Sequence, residues 1–504
     1  MSIRERLVFT AVAVAVLSAS RVEAAPCESL SSLSLPNTTV TTAETVAPGA
    51  FTQPGRGGRA GGAGPFAALA SFCRVTLTMK PTPQSDIKAE VWLPSAGWNG
   101  KLEVVGNGAW AGSISYPAMA TALAAGYVAA STDTGHAGGA ENATTHKEVL
   151  VDFAHRAIHE TTAVAKKVLN GFYGAAPKFS YFNGCSTGGR QALTAAQRYP
   201  DDFDGIIAGD PAIHGLTLAL GQIWFSQTMT KNPASTIPRE KLAIVHKAVI
   251  AACDANDGAM DGVLENPLAC RFDPKVLACA AGSDGADCLT SAQVETAQKI
   301  YGGAKNSRTG AAVFPGLEVG SEGAWSPNPV GYAVDLFKYV VFNDRNWNPN
   351  TLDFDGYQAL SAKDEVKLLD AADPNLSPYF KSGGKLLMYH GWSDPGIPAR
   401  ASTNYYEAVR SKTGRVANDS LRLFMVPGMG HCGGGDGVTS FDFVSELDRW
   451  VTTGKAPATI PASRVQAGKI ERTRPLCAYP QVAVYTGRGS LNDAASFECR
   501  SAAK

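Results

Sequence analysis

The chain of 504 residues has no charge excess: Lys plus Arg number 45, and Asp plus Glu number 45. A balanced charge leaves no electrostatic footprint for nucleic acid, and no basic run marks a membrane surface. Beyond the N-terminal segment there is no apolar run long enough to span a bilayer. No CxxC pair is present, which removes the usual zinc framework. No internal repeat is evident, which argues against solenoids and propellers.

What remains is the composition of a soluble globular protein, 45% hydrophobic and 18% charged. The length exceeds one small core and predicts more than one domain. Arg4 and Arg6, the apolar run Leu7–Leu17 and the small residues around Ala24-Ala25 read as a secretory signal over residues 1–25. Export fits the ten cysteines, an even number that can pair fully in an oxidising compartment. Sequence alone does not fix their connectivity. Short loops favour Cys253–Cys270, Cys279–Cys288 and Cys477–Cys499. Cys27–Cys73 is then the local choice, which hands Cys185 to Cys432.

After a Ser-, Thr-, Pro- and Gly-rich start, with a flexible loop predicted over 55–64, strand and helix patterns alternate. Strands are expected over 88–93, 101–105, 126–131, 179–183 and 203–209, with helices over 153–172 and 189–199. The alternation predicts an α/β fold with a mostly parallel sheet covered by helices. It breaks after Asp210-Pro211 and resumes with strands over 385–390 and 421–427 and a helix over 441–452. The section 213–375, with short helices, four cysteines and many aromatics, reads as an insertion. It divides one α/β domain into parts at 26–212 and 376–504, the second ending in a C-terminal tail.

Gly184-Cys185-Ser186-Thr187-Gly188 matches G-x-S-x-G between an expected strand and an expected helix. Glycines permit the strained turn that lifts a serine hydroxyl above a sheet. The first N–H of the helix, that of Thr187, can then stabilise an oxyanion. A serine nucleophile needs a base, and the base needs an orienting acid, in the order Ser, Asp, His along such chains. Asp394 follows the strand 385–390, and His431 follows the strand 421–427. Rivals are His136 for the base, and Asp133 and Asp210 for the acid. His155 and His159 share a helix face and read as structural, and His146 and His246 read as surface residues. His214 is a candidate pocket residue, and His390 ends a strand. A second oxyanion donor is expected from Val104–Trp110, at Gly108 or Ala109.

Gly-Cys-Ser-Thr-Gly-Gly-Arg at 184–190, Gly-Trp-Ser-Asp-Pro at 391–395 and Gly-His-Cys at 430–432 resemble the tannase and feruloyl esterase family, which also includes mono(2-hydroxyethyl) terephthalate hydrolases. The likeness covers nearly all of the chain after the signal. It implies an α/β-hydrolase core with a large inserted lid at 213–375. It also implies the triad Ser186, Asp394 and His431, and a disulfide between Cys185 and Cys432. The loop 253–263 resembles the family's structural calcium site in the lid. The resemblance assigns the ion to Asp254, Asp257 and Asp261 and to the carbonyls of Ala259 and Val263. Three carboxylates so close in sequence repel one another unless a cation joins them, and calcium wants six to eight oxygens.

The expected reaction is two-step hydrolysis of a small aromatic ester, with plant polymers as one source, and with no organic cofactor. Lid aromatics are Trp224, Phe225, Trp325, Tyr332, Phe337, Tyr339, Phe342, Trp347 and Phe354, most of them expected in the lid core. A terephthalate monoester would call for an arginine. Between 275 and 375 only Arg308 and Arg345 are present, and neither sits in a setting suited to that task. Feruloyl or galloyl esters are therefore favoured, with a peptidase or a non-catalytic binding protein as rival readings. No nucleic acid partner is expected, nor a membrane after signal cleavage, and the sequence leaves the oligomeric state open.

Overall fold

The computed structural model describes residues 24–54 and 64–501. Apart from Ala24 and Ala25, the predicted signal lies outside the described residues, as does the predicted loop except for Gly64. Among the described residues no helix is long and apolar enough to cross a membrane.

The strands in chain order begin with β1 (Thr38–Val46), β2 (Phe72–Met79), β3 (Ile87–Pro94), β4 (Lys101–Val105), β5 (Val128–Thr132), β6 (Phe179–Cys185) and β7 (Gly205–Gly209). A hairpin of β8 (Ala304–Lys305) and β9 (Ala312–Phe314) follows, then β10 (Lys385–Gly391) and β11 (Leu421–Val426). Nine of these form one sheet in the order β1-β2-β3-β5-β4-β6-β7-β10-β11. From β5 to β11 every pairing is parallel, while the β1, β2 and β3 edge is antiparallel.

Parallel strands covered on both faces must be apolar on both sides. Leu102, Val104, Phe182, Ile206 and Leu386 pack on one face against Ala165, Val168 and Leu169 of the helix Ala157–Tyr173. Their alternates Val105, Tyr181, Ile207 and Leu387 pack on the other against Met119, Leu447 and Trp450. The helix Phe443–Thr453 supplies the last two, starting at an Asp442 cap and ending at Gly454 with φ 73°.

Between β7 and β10 the chain leaves the sheet. Helices Gly215–Thr230, Arg239–Cys253 and Ser291–Gly302 build apolar clusters away from the strands, one holding Phe225, Val249 and Ile300. Another joins Leu220, Ile223 and Phe337 to Trp110 and Phe153 of the first segment. After β11 come β12 (Ser440–Phe441), β13 (Thr459–Gln466) and β14 (Lys469–Cys477) in one small sheet. β15 (Gln481–Tyr485) and β16 (Phe497–Ser501) form another. Five disulfides tie these parts, pairing Cys27–Cys73, Cys185–Cys432, Cys253–Cys270, Cys279–Cys288 and Cys477–Cys499.

The structure differs from the sequence reading in detail. The helix expected over 153–172 is preceded without a break by Lys147–Val151, and a wide π turn at Asp152–Arg156 joins the two. Its loosened carbonyls serve the buried Arg190, whose guanidinium donates to Ala154 O at 2.9 Å and to Phe153 O at 3.4 Å. The Thr-rich stretch 38–46 is an edge strand, in which β-branched residues pair across to β2.

Candidate active site

β6 ends at Cys185 and a helix starts at Thr187, so Ser186 is the whole turn. Its backbone is held at φ 65° and ψ −119°, a left-handed setting that costs a side-chain-bearing residue energy. Three hydrogen bonds fix it. Ser186 N donates to Gly209 O at 2.9 Å, while Ser186 O accepts from Arg190 N at 3.0 Å and Ala212 N at 3.2 Å. The flanking glycines are steric requirements. A Cβ on Gly184 would stand 2.6 Å from the Gly188 carbonyl, and one on Gly189 would stand 2.4 Å from Gly209 O.

The helix starts two residues earlier than the pattern suggested, and the Thr187 N–H is a first-turn donor without an acceptor among the described residues. The loop after β4 lies against it: a Cβ on Gly188 would approach Asn107 O to 3.1 Å. Asn107 is locked by paired amide bonds with Gln191 at 3.0 and 3.1 Å and by donation to Ser113 O and Thr132 O. Gly108 follows it facing open space, and Ala109 has φ 46°. Trp110 then stacks between Phe153 at 4.8 Å and Tyr332 at 5.0 Å. Its indole donates to Tyr332 O at 3.2 Å, tying this loop to the inserted segment.

His431 Nδ1 donates to Asp394 Oδ2 at 2.7 Å, which leaves Nε2 able to take up a proton. Asp394 is fully buried, and its Oδ1 accepts from Gly396 N at 2.7 Å and Ile397 N at 2.9 Å. Burial opposes its charge. Hydrogen bonds from His390 and His431, with the charges of those imidazoles, outweigh that and hold the carboxyl below its ordinary range. Burial likewise lowers the His431 pKa, but the bond and charge of Asp394, with the charge of Asp210, raise it above the ordinary 6.5.

Two further buried groups complete the cluster. Asp210 has φ 35° and accepts from Gly391 N at 2.9 Å through Oδ1 and from Cys432 N at 3.3 Å through Oδ2. It ties the end of β10 to the His431 loop and sits beside the Cys185–Cys432 bridge. Cys185 Sγ lies 3.3 Å from Asp210 Oδ2, a contact without a proton because the sulfur is bonded. Burial pushes Asp210 up to about 6, against the pull of His390. His390 Nε2 must donate to Ile397 O at 2.9 Å, since a carbonyl only accepts. The same nitrogen lies 3.3 Å from Asp394 and 3.6 Å from Asp210. Burial lowers the His390 pKa, but the Asp210 charge and the Asp394 hydrogen bond turn the net shift upward. His390 therefore separates two carboxylates that would otherwise repel.

The rival residues are spent elsewhere. Asp133 Oδ1 accepts from Lys88 N and Gly135 N at 2.9 and 2.8 Å, closing the turn after β5. His136 contacts Trp110 O at 3.0 Å, bracing the Gly108 loop. His155 bonds the Tyr199 hydroxyl and His159 bonds Asp202, each at 2.8 Å. His146 is exposed. His246 corrects its surface reading: it is half-buried, with Nδ1 2.9 Å from the buried Glu322. The supporting roles of Asp210 and His390 were missed. The signal available was that each lies at the C-terminal end of a sheet strand, Asp210 just after β7 and His390 one residue before the end of β10, and falls beside Asp394 or Cys432 once β7, β10 and β11 are placed side by side.

The loop 254–263 turns at Gly258 and Gly262, with φ of 84° and 82°. Asp254 accepts from Gly262 N and Val263 N, and Asp257 accepts from Ala259 N. Asp261 pairs with Arg474, and Arg472 stands 3.5 Å from it. Ala259 and Val263 are buried, yet neither carbonyl accepts a hydrogen bond among the described residues. Four acids (Asp254, Asp257, Asp261 and Glu265) face two arginines, and Arg474 Nε also lies 3.5 Å from Glu265. Buried carbonyls without donors, beside more carboxyl groups than arginines, suit a hard divalent cation. The loop touches the candidate site as well: a Cβ on Gly428 would meet Val263 at 3.2 Å.

Asp210→Asn puts an amide where two backbone N–H groups need acceptors, so one of them loses its partner. The variant should lose about 1–3 kcal/mol of stability, read as a lowered Tm at pH 7. An unchanged Tm would show that the carboxylate does not hold the two loops together.

A family model for tannase and feruloyl esterase matches residues 73–500. An uncharacterised esterase of Xanthomonas campestris is 36% identical across 98% of this chain and 94% of its own. A probable feruloyl esterase B-2 of Aspergillus terreus is 33% identical across 85% of this chain and 86% of its own. The crystal structure of feruloyl esterase B from Aspergillus oryzae superposes with a TM-score of 0.87 at 31% identity, covering 94% of this chain and 99% of that one. The α/β fold, the disulfide framework and these matches together make the chain a member of the tannase and feruloyl esterase family and a carboxylic ester hydrolase.

Proposed function

We propose that this chain is an exported serine esterase that hydrolyses phenolic esters of the feruloyl or galloyl kind. The observation that carries the reading is the pairing of a strained Ser186 with an Asp394-bonded His431 through adjacent, disulfide-linked cysteines whose Cα atoms are 6.0 Å apart. Ser186 attacks the ester carbonyl while His431 Nε2 takes its proton. Asp394 holds the imidazole in the right tautomer and balances its charge. Thr187 N–H and Gly108 N–H stabilise the tetrahedral oxyanion. The protonated His431 then gives its proton to the departing alcohol, and in the second step activates water to release the acid. Residues 213–375 serve as the lid.

The preference for phenolic esters over a terephthalate monoester rests on the arginines. Arg308 is exposed beside Asp355, and Arg345 is exposed. Arg400, in the helix after Asp394, is held by Glu318 at 2.6 Å and by the carbonyls of Tyr301 and Gly316. Arg308 and Arg400 are thus already paired with carboxylates. Most lid aromatics are committed to packing: Phe337, Phe342 and Trp347 stack within 4.9–5.9 Å. Trp325 bonds Ser321.

Calcium is assigned to Asp254, Asp257 and Asp261 and to the carbonyls of Ala259 and Val263. Its chemistry there is charge neutralisation and loop bracing. Ala259 packs with Cys477, Ala483 and Phe497 of the C-terminal tail, and Val263 packs on the His431 loop, so the ion would join the lid to both.

A panel of methyl ferulate, methyl gallate, chlorogenate and mono(2-hydroxyethyl) terephthalate tests the substrate class, with a phenolic ester expected to give the highest kcat/KM. The highest value on the terephthalate ester would overturn it. Ser186→Ala should lower every rate by roughly 10⁴-fold or more. The acid limb of kcat/KM should lie above pH 6.5, because the base must be neutral and its pKa is raised. Asp394→Asn should move that limb down, and an unmoved limb would separate His431 from Asp394.

Removing divalent ions with EDTA should lower Tm, and added calcium, but not magnesium, should restore it. Magnesium demands a tighter octahedron than a loop of carbonyls provides. A Tm indifferent to EDTA would reject the ion.

A further inference from the structure

A cavity of about 440 Å³ opens on the sheet face that carries Tyr181 and Ile207. Along a strand, successive side chains point to opposite faces. Tyr389 therefore faces this cavity while its neighbour His390 faces Asp394. The room comes from small residues: Ala118, Thr121, Ala122 and Ala125 line one face of the helix Tyr116–Ala124 and its end. The cavity is within the range of small-molecule sites, and the proposed reaction does not use it.

Its lining has a definite chemistry. Phe441 and Phe443 lie 4.2 Å apart by centroid, with Tyr389 at 5.4 and 4.7 Å from them, so three rings form one wall. Tyr127 adds a fourth ring. Glu103 is buried at the floor. Asn183 Nδ2 donates to its Oε1 at 3.1 Å, and Oε2 has no protein donor among the described residues. Asp442 stands at the rim, capping the helix Phe443–Thr453. Among the described residues no Lys or Arg lines the space. The nearby Lys101 is already paired with Asp448 at 2.6 Å. The Tyr127 and Tyr389 hydroxyls make no hydrogen bond among the described residues. Burial pushes the Glu103 carboxyl up to about 7, helped by the Asp442 charge and opposed by Asn183. That is the behaviour of an acid lacking its counter-charge.

We propose that this cavity is a second binding site, selective for a compact organic cation carrying an ammonium group. Ring faces attract such a cation through their quadrupoles, and the attraction strengthens when water is excluded. Glu103 supplies the opposite charge at the floor and Asp442 at the entrance. The same acids repel a carboxylate, so the phenolic acid released by the proposed reaction is excluded.

The test is isothermal titration of the full exported chain with benzyltrimethylammonium, benzyl alcohol and benzoate. The cation should bind and benzoate should not. Glu103→Gln keeps the shape and removes the charge, and should weaken the cation by about tenfold or more. Ala122→Leu fills the space and should abolish binding. Both variants should keep the wild-type circular dichroism and ester hydrolysis within about twofold, since neither residue touches the Ser186 cluster. Cation binding unchanged in both variants, benzyl alcohol binding as tightly as the cation, or no cation binding at millimolar concentration would each overturn the proposal.

Discussion

The bond between Cys185 and Cys432 is the constraint around which the site is arranged. It joins chain positions 247 residues apart. Each cysteine is the immediate neighbour of a candidate catalytic residue, so it limits how far apart Ser186 and His431 can move. Strand pairing alone would leave that relation to loops. β6 and β11 are not adjacent, since β7 and β10 lie between them. A crosslink over so long a loop also removes much entropy from the unfolded chain.

The buried acids and imidazoles behind the bridge are organised by the same constraint. Asp210 lies against Cys185 Sγ and accepts from Cys432 N, so a carboxylate that a typical Ser-His-Asp arrangement does not need stands beside the crosslink and near His431. Two carboxylates in one dry space are tolerable only with a cation or a proton between them. His390 takes that position. The outcome is a fixed negative field behind His431, which raises its pKa. The acidic loop at 254–263 poses a similar problem of unbalanced carboxylates, for which a divalent ion is the proposed solution.

Much of this was legible in sequence because it depends on local pattern. The alternation of β4 to β7 with their helices follows from apolar runs and glycines. The strand–turn–helix at 184–190 is written in small residues whose Cβ atoms would collide. β1 was hidden because an exposed edge strand of threonines lacks an apolar face. The helix Tyr116–Ala124 was hidden because it is short and almost wholly alanine and apolar, with Thr121 its one polar side chain beyond Tyr116, so no polar face marks a helical period. The partnership of Asp210 and His390 with Asp394 was not legible, since it arises only when three strands distant in sequence lie side by side. The wide turn at 152–156 is likewise a tertiary effect, in which the buried Arg190 draws on carbonyls of another helix.

The most direct measurement is the rate of Ser186 acylation in the Cys185→Ser, Cys432→Ser double variant. It should be followed by single-turnover release of alcohol from a phenolic ester, at a temperature where circular dichroism shows the variant folded. If the bridge aligns nucleophile and base, the acylation rate falls by about 100-fold or more while the secondary structure is kept. An acylation rate equal to that of the parent chain would contradict the account, and would mean that the sheet and loops hold the pair in place without the crosslink.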